Sequence, residues 1–91
     1  MMNVIPLETI REYTRIEDPG HSWLMVPTKD FAEAGIYKSI TPYSPYKRGI
    51  HYLEEDCDMW VFVDAMKAKG IRVKTNRLEV DDFDKYFSEG L

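Results

Sequence analysis

The pattern of apolar and polar residues in the first half of the chain predicts two strands and a short helix. From Thr9 to Glu17 the apolar residues recur every three positions, but the residue types are strand formers, and we predict a strand. Pro19 and Gly20 predict a turn. The apolar run at residues 23–26 predicts a buried strand. A short helix follows, with Thr28 as its N-cap and Gly35 as its C-terminal glycine.

The second half of the chain predicts two more strands around the main helix. Residues 50–54 alternate between apolar and polar, as a strand does, and so do residues 71–75, with Ile71, Val73 and Thr75 pointing inward. Between these strands, apolar residues at helical spacing predict one buried face of a helix that begins near Asp56 or Cys57 and ends at Gly70. That face consists of Met59, Phe62, Val63 and Met66.

The apolar positions change parity after residue 75, because Leu78 falls on the other face of an extended strand. We therefore predict a bulge or a turn near residues 76–77. The last apolar residues, at 83, 86 and 87, predict a short helix capped by Asp81 or Asp82. Residues 37–49 contain Pro42 and Pro45 and predict a loop or a sheet edge.

These elements predict an α+β fold, with a small mixed or antiparallel sheet of about four strands, one main helix and two short helices. A chain of 91 residues is expected to form a single domain, here 1–91, with 1–8 as an irregular lead-in. The one cysteine cannot form an internal disulfide, and no apolar run is long enough to span a bilayer. Without a recognisable secretory signal either, we predict the cytoplasm of a bacterial host cell and no membrane partner.

Charge is distributed in blocks, although the net charge is only −4. Residues 51–66 hold five acids and no base, 67–77 hold five bases and no acid, and 78–91 hold five acids against Lys85. Such blocks either steer a charged partner or neutralise one another within the fold. The acidic balance as a whole disfavours nonspecific binding to nucleic acid.

The stretch HYLEEDCDMW places Glu54, Glu55, Asp56 and Asp58 around Cys57. The first interpretation is structural: acids at the start of a helix accept from its free N–H groups and favour its dipole. The carboxylates are also chemically able to hold Mg²⁺ or Ca²⁺, but they lack the ligand rhythm of a calcium loop. The surrounding acids oppose a Cys57 thiolate. We therefore predict no catalytic residue, no metal site and no cofactor.

A contact surface for a protein partner is predicted on the main helix. Val61 falls opposite the apolar face, beside Asp64, and Trp60 is half-exposed, so the three offer an apolar patch with acids around it. The predicted partner-binding residues are Trp60, Val61, Asp64, Glu54, Glu55 and Asp58. The alternative is that a second layer of the fold covers Val61.

An aromatic and basic segment supplies a second candidate surface. Tyr43 and Tyr46 each follow a proline and precede Lys47 and Arg48, a combination that can stack single-stranded bases. Together with the basic block, the candidate nucleic-acid-binding residues are Tyr43, Tyr46, Lys47, Arg48, Arg72 and Lys74. The alternative is that the tyrosines anchor this loop to the sheet.

The stretches DPGHSWLMVP, YSPYKRG, YLEEDCD and AMKAKGI together resemble a small bacterial and phage-borne family of uncharacterised function, over about residues 18–71. In that family's pattern, a glycine stands where this chain has Ser22, and Pro45 interrupts its tyrosine loop. The resemblance implies a phage or prophage-like source and no particular activity. Residues 26–36 also resemble part of the transition-state-regulator DNA-binding domains, with a strand, Val-Pro and a helix ending in Gly-Ile.

Three hypotheses of function follow. The first is a non-enzymatic protein–protein interaction module, encoded by a phage or mobile element and inhibiting a host defence protein, with a homodimer as an alternative assembly. The second is a small nucleic-acid-binding regulator that uses residues 67–77 and the tyrosine loop. The third is a metal-dependent or thiol hydrolase that uses His21, Glu54, Glu55 and Cys57.

Overall fold

The computed structural model describes residues 9–89, and there it has an α+β fold with a mixed sheet of five strands and three α-helices. The elements are β1 Thr9–Glu17, β2 Ser22–Pro27, α1 Thr28–Ala34, β3 Tyr46–Lys47, β4 Ile50–Glu54, α2 Met59–Ala68, β5 Ile71–Glu79 and α3 Phe83–Glu89, with a 3-10 turn at Tyr37–Ser39. The prediction of four strands omitted β3, which has only two residues and directly follows Pro45. The predicted lead-in, 1–8, lies outside the described residues.

The strands lie in the order β3-β4-β2-β1-β5. Strand β1 pairs in parallel with β5 over its whole length, from Thr9 opposite Ile71 to Glu17 opposite Glu79, and the other pairs are antiparallel. Strands β4 and β5 therefore run in the same direction but are separated by β2 and β1. Helix α2 connects them across one face of the sheet.

Helices α1 and α2 cover one face of the sheet. The predicted apolar face of α2 is confirmed, because Met59, Phe62 and Met66 are fully buried. The edge of the Tyr13 ring meets the Phe62 ring with 5.3 Å between centroids. Truncating a buried phenylalanine to alanine lowers the free energy of unfolding by about 3–5 kcal/mol. Phe62 therefore contributes strongly to the hydrophobic core between these helices and the sheet. Its sheet residues include Leu24, Val26, Leu53 and Ile71.

Helix α3 covers part of the opposite face. Phe83 stacks on Trp23 with ring centroids 3.7 Å apart and meets the Tyr52 ring edge-on at 5.7 Å. Ile16 is fully buried beneath them. The sheet is thus the middle of three layers, and its strands bury apolar side chains on both faces.

The change of parity in β5 reflects apolar residues on both faces of one strand, and the predicted bulge or turn near residues 76–77 is wrong. The strand is continuous and keeps its register with β1 throughout. Ile71 and Val73 face α2, whereas Leu78 lies opposite Ile16 and so belongs to the α3 side of the sheet. Thr75, predicted to point into the core, is exposed.

Some of the predicted helix ends are confirmed and others are wrong. Gly35 ends α1 in the left-handed conformation, with φ 68, as predicted. Thr28 is the first helical residue and not the N-cap, and its hydroxyl donates to the Gly49 carbonyl. Asp82 accepts from the Asp84 and Lys85 N–H groups and so caps α3. Within residues 9–89, no helix has the length and apolar character that crossing a membrane requires.

Candidate functional site

The acidic segment divides into side chains with different roles, and Asp58 is a structural one. Helix α2 begins at Met59 and not at Asp56 or Cys57, and the Asp58 side chain does not cap it. The carboxylate is fully buried and accepts from the Thr41 backbone N–H, from the Thr41 hydroxyl at 2.6 Å and from the Ser44 hydroxyl. Ser44 in turn accepts from the Glu54 N–H at 3.0 Å. Asp58 therefore fixes the loop before β3 to the end of β4.

Glu54 and Asp56 turn toward the β1–β2 turn, where they meet His21. The ligand atoms of these three side chains all lie within 4.8 Å of one another. Glu54 is brought there by the pairing of β2 with β4, which sets it opposite Trp23. The three residues lie in an open pocket of about 350 Å³ whose walls also include Trp23, Tyr43 and Cys57.

The two acids of this corner differ in their exposure. Glu54 is only 7% exposed, and its Oε2 accepts from the Asp56 N–H at 2.9 Å. Asp56 and His21 are exposed. His21 is fixed through its backbone, because Asp18 Oδ1 accepts from the Gly20 and His21 N–H groups at 2.9 Å. The second Asp18 oxygen accepts from the Phe83 N–H, which ties the same turn to α3.

Cys57 lies in this pocket as an exposed free thiol. Desolvation raises the pKa of the thiol, and a hydrogen bond to the Glu54 carboxylate and the negative charges of Glu54 and Asp58 raise it further. The thiol is therefore neutral at pH 7, and a neutral thiol is a poor nucleophile. The arrangement does not provide what the thiol version of the hydrolase hypothesis needs.

The predicted partner-binding set does not form one surface. Asp58 and Glu54 are buried, which corrects their placement on a contact surface, and Glu55 forms an ion pair with Arg15 at 2.8 Å. Trp60, at 55% exposed, and Asp64 lie on the surface. Val61 is partly buried and packs against the core, so the structure favours the alternative in which the fold covers this residue.

The predicted nucleic-acid-binding set is divided between opposite edges of the sheet. Tyr43 and Tyr46 are exposed near β3, and Arg72 and Lys74 lie on β5. Four strand spacings separate these edges, about 19 Å in all. Lys47 is held to α3, since its ammonium donates to the Phe87 carbonyl, and Arg48 adopts a left-handed conformation with φ 51 in the turn before β4. The tyrosines and the basic strand therefore do not make one stacking site.

The outer edge of β5 offers a row of backbone groups that pairing within residues 9–89 does not use. In a parallel pair, each residue directs its N–H and C=O to one side and the next residue directs them to the other. The Gly70 carbonyl accepts from Thr9, and the Val80 N–H donates to Glu17, so the even-numbered residues face β1. The outward-facing residues are therefore Ile71, Val73, Thr75, Arg77 and Glu79.

A groove runs beside the first part of this edge. Val63 and Lys67 of α2 and residues 70–73 line it, and its volume is about 450 Å³. Lys67 and Lys74 are exposed and have no ion-pair partner among residues 9–89, whereas Arg77 pairs with Glu17 at 2.7 Å and with Glu79 at 2.6 Å. The groove thus combines an apolar wall, free backbone groups and positive charge.

The hydrolase hypothesis named His21 with Glu54 but did not include Asp56, and no hypothesis named the open edge of β5. His21 is far from Glu54 in the chain, and only the pairing of β2 with β4 unites them. The open edge of β5 depends on the order of the strands, which hydrophobic periodicity does not encode. The basic block at 67–77 was the one signal that the sequence supplied for it.

Comparison of the chain with protein-family models, with curated proteins and with solved structures found no match. Any function proposed for this protein therefore depends on the geometry described above.

Proposed function

We propose that the protein is a non-enzymatic interaction module that binds an extended acidic segment of a partner protein as an added strand on β5. The observation that carries this proposal is the outward-facing row from Ile71 to Glu79, next to the groove between β5 and α2. An added strand gains main-chain hydrogen bonds from such an edge, and pockets for alternate side chains select its sequence.

The groove favours a partner with apolar and acidic residues in alternation. On the helix side of the edge, an incoming side chain would meet Val63 and Val73, both partly buried and apolar. On the other side of the sheet, it would meet Lys74, whose charge has no partner at ion-pair distance among residues 9–89. An acidic segment is drawn to this edge by charge, which mainly raises the association rate.

The same charges oppose a second copy of this chain as the occupant. Two β5 edges pairing antiparallel about Val73, beside the groove, would set Arg72 of each copy opposite Lys74 of the other, at a strand spacing of about 4.8 Å. Like charges facing each other across a strand pair are destabilising. The positive edge therefore selects against self-pairing and for an acidic partner. The narrower role in the first hypothesis, inhibition of a host defence protein, stays a prediction.

The test uses a fluorescently labelled peptide of alternating valine and glutamate and measures binding by fluorescence anisotropy. Proline is tolerated on the outward side of an edge strand, where it removes only a free N–H. Thr75→Pro is expected to weaken binding at least tenfold because the new strand loses a backbone hydrogen bond and meets the proline ring. Thr75→Val keeps the N–H and is the matched control, expected to bind as the wild type does.

Charge is tested in the same assay. Lys67→Glu combined with Lys74→Glu is expected to reduce the association rate severalfold, whereas Lys38→Glu, in the 3-10 turn, leaves it unchanged. Equal binding by Thr75→Pro and the wild type would overturn the proposal. So would preferential binding of single-stranded DNA, which favours the nucleic-acid regulator, or a dimer by light scattering that Thr75→Pro dissolves, which makes a second copy the occupant.

A further inference from the structure

The geometry points to a binding site for a divalent transition-metal ion of the zinc class, formed by His21, Glu54 and Asp56. This site is independent of the proposed peptide-binding edge, because it lies at the β1–β2 turn and the end of β4, on the other side of β2 and β1 from β5.

Convergence of the three side chains is the first argument. Their ligand atoms lie within 4.8 Å of one another, and ligands around a tetrahedral zinc ion at about 2.1 Å are about 3.4 Å apart. Small rotations of the exposed His21 and Asp56 side chains are enough to close that difference. The backbones that carry them are already fixed, His21 through Asp18 and Asp56 through the Glu54 carboxylate.

The environment of Glu54 is the second argument. Buried carboxylates are normally paired with a cation or bound to a metal. Glu54 is 7% exposed, yet no Lys or Arg side chain among residues 9–89 lies within ion-pair distance of it, and its carboxylate accepts from the Asp56 N–H. A divalent cation bound between Glu54 and Asp56 would balance both negative charges.

The donor set indicates the class of ion. Imidazole nitrogen suits zinc and its neighbours among the transition metals, whereas magnesium prefers oxygen ligands in a nearly ideal octahedron. Three protein ligands also leave at least one position for water. Cys57 lies in the same pocket, but its sulfur is outside the group of converging atoms.

Zinc binding is tested by competition with a chromophoric chelator on the intact chain. One ion is expected to bind per chain, and the expected loss of affinity is at least tenfold in His21→Ala and in Asp56→Asn. Both residues are exposed, so these variants keep the fold. Asp81→Asn removes an exposed acid outside the site and is the matched control, expected to bind zinc as the wild type does.

The two histidines give an internal control by NMR. Zinc is expected to shift the ring signals of His21 and to leave the ring signals of His51 unchanged, because His51 stacks on Phe31 on the other face of the sheet. Undiminished zinc affinity in His21→Ala would overturn the site. Loss of binding in Cys57→Ser with retention in His21→Ala would overturn it too, because the thiol would then be the ligand, and so would binding of magnesium in preference to zinc.

Discussion

The two edge strands of the sheet differ in length and in how far other segments cover them. Strand β3 forms one edge with only two residues. One of them, Lys47, donates from its ammonium to the Phe87 carbonyl, and this ammonium lies 5.0 Å from the centre of the Phe87 ring. Strand β5 forms the other edge with nine residues. Nothing in residues 9–89 pairs with its outer side.

The comparison distinguishes two properties of a sheet edge. An edge can be blocked against pairing with any strand, or it can select by charge which strands pair with it. Natural sheets prevent uncontrolled pairing by short edge strands, by covering segments and by charge. The β3 edge uses the first two devices, and the β5 edge uses only the third, through Lys74 and its basic neighbours. Charge repels like strands and attracts opposite ones, so an edge guarded by charge alone stays available to an acidic partner.

The largest effect is expected when the loop that precedes β3, at the covered edge of the sheet, is released. In Asp58→Ala, the Thr41 N–H and the Thr41 and Ser44 hydroxyls lose their shared acceptor, and we expect the free energy of unfolding to fall by about 3 kcal/mol. Urea denaturation followed by circular dichroism measures this loss. Asp58→Asn keeps one acceptor oxygen and should lose about half as much. A loss below about 1 kcal/mol in Asp58→Ala would show that Asp58 does not hold this loop.

Proline substitutions at two neighbouring positions of β5 test which backbone groups face the open edge. The Lys74 N–H faces β1, so Lys74→Pro removes a ladder hydrogen bond and should cost at least about 2 kcal/mol. Thr75→Pro removes an outward N–H and should cost less than about 1 kcal/mol. Thermal and urea unfolding of the two variants compare them directly. Equal losses would contradict the assignment of even-numbered residues to β1.

Local patterns were sufficient to predict most elements of this fold but not their arrangement. The strand at Thr9–Glu17, the strand at Ile50–Glu54 and the αL glycine at Gly35 follow from residue types and spacing, and the structure confirms them. The bulge predicted near residues 76–77 failed because periodicity within one strand does not reveal that both faces of the sheet are covered. A strand of two residues, such as β3, is too short for a period to be seen.

The candidate sites show the same limit more strongly. The sequence placed Asp58, Glu54 and Asp56 in one acidic stretch, and their spacing favoured a common role at the helix start. The structure gives Asp58 three hydrogen-bond donors from a distant loop and gives Glu54 a histidine from a distant turn. Both partners come from long-range pairing, which no local pattern of charges contains.

The smallest expected effect concerns pH at the covered edge, where His51 lies opposite Tyr46. The His51 ring stacks on Phe31 with centroids 3.7 Å apart, and burial lowers the pKa of the imidazole below its usual value. The unfolded chain therefore takes up the proton first, near pH 6.5, while the folded chain still holds a neutral ring. It follows that the unfolding free energy declines as the pH falls below about 6.5 and levels off once the folded imidazole is also protonated. Asp18 and Glu33, whose pKa values are lowered by hydrogen bonds, act in a more acidic range.

Urea unfolding at intervals between pH 7 and pH 5 should show this decline in the wild type and a flatter profile in His51→Gln. A profile that is equally steep in both would assign the proton uptake to another group, and the ring stack would then be only a packing contact.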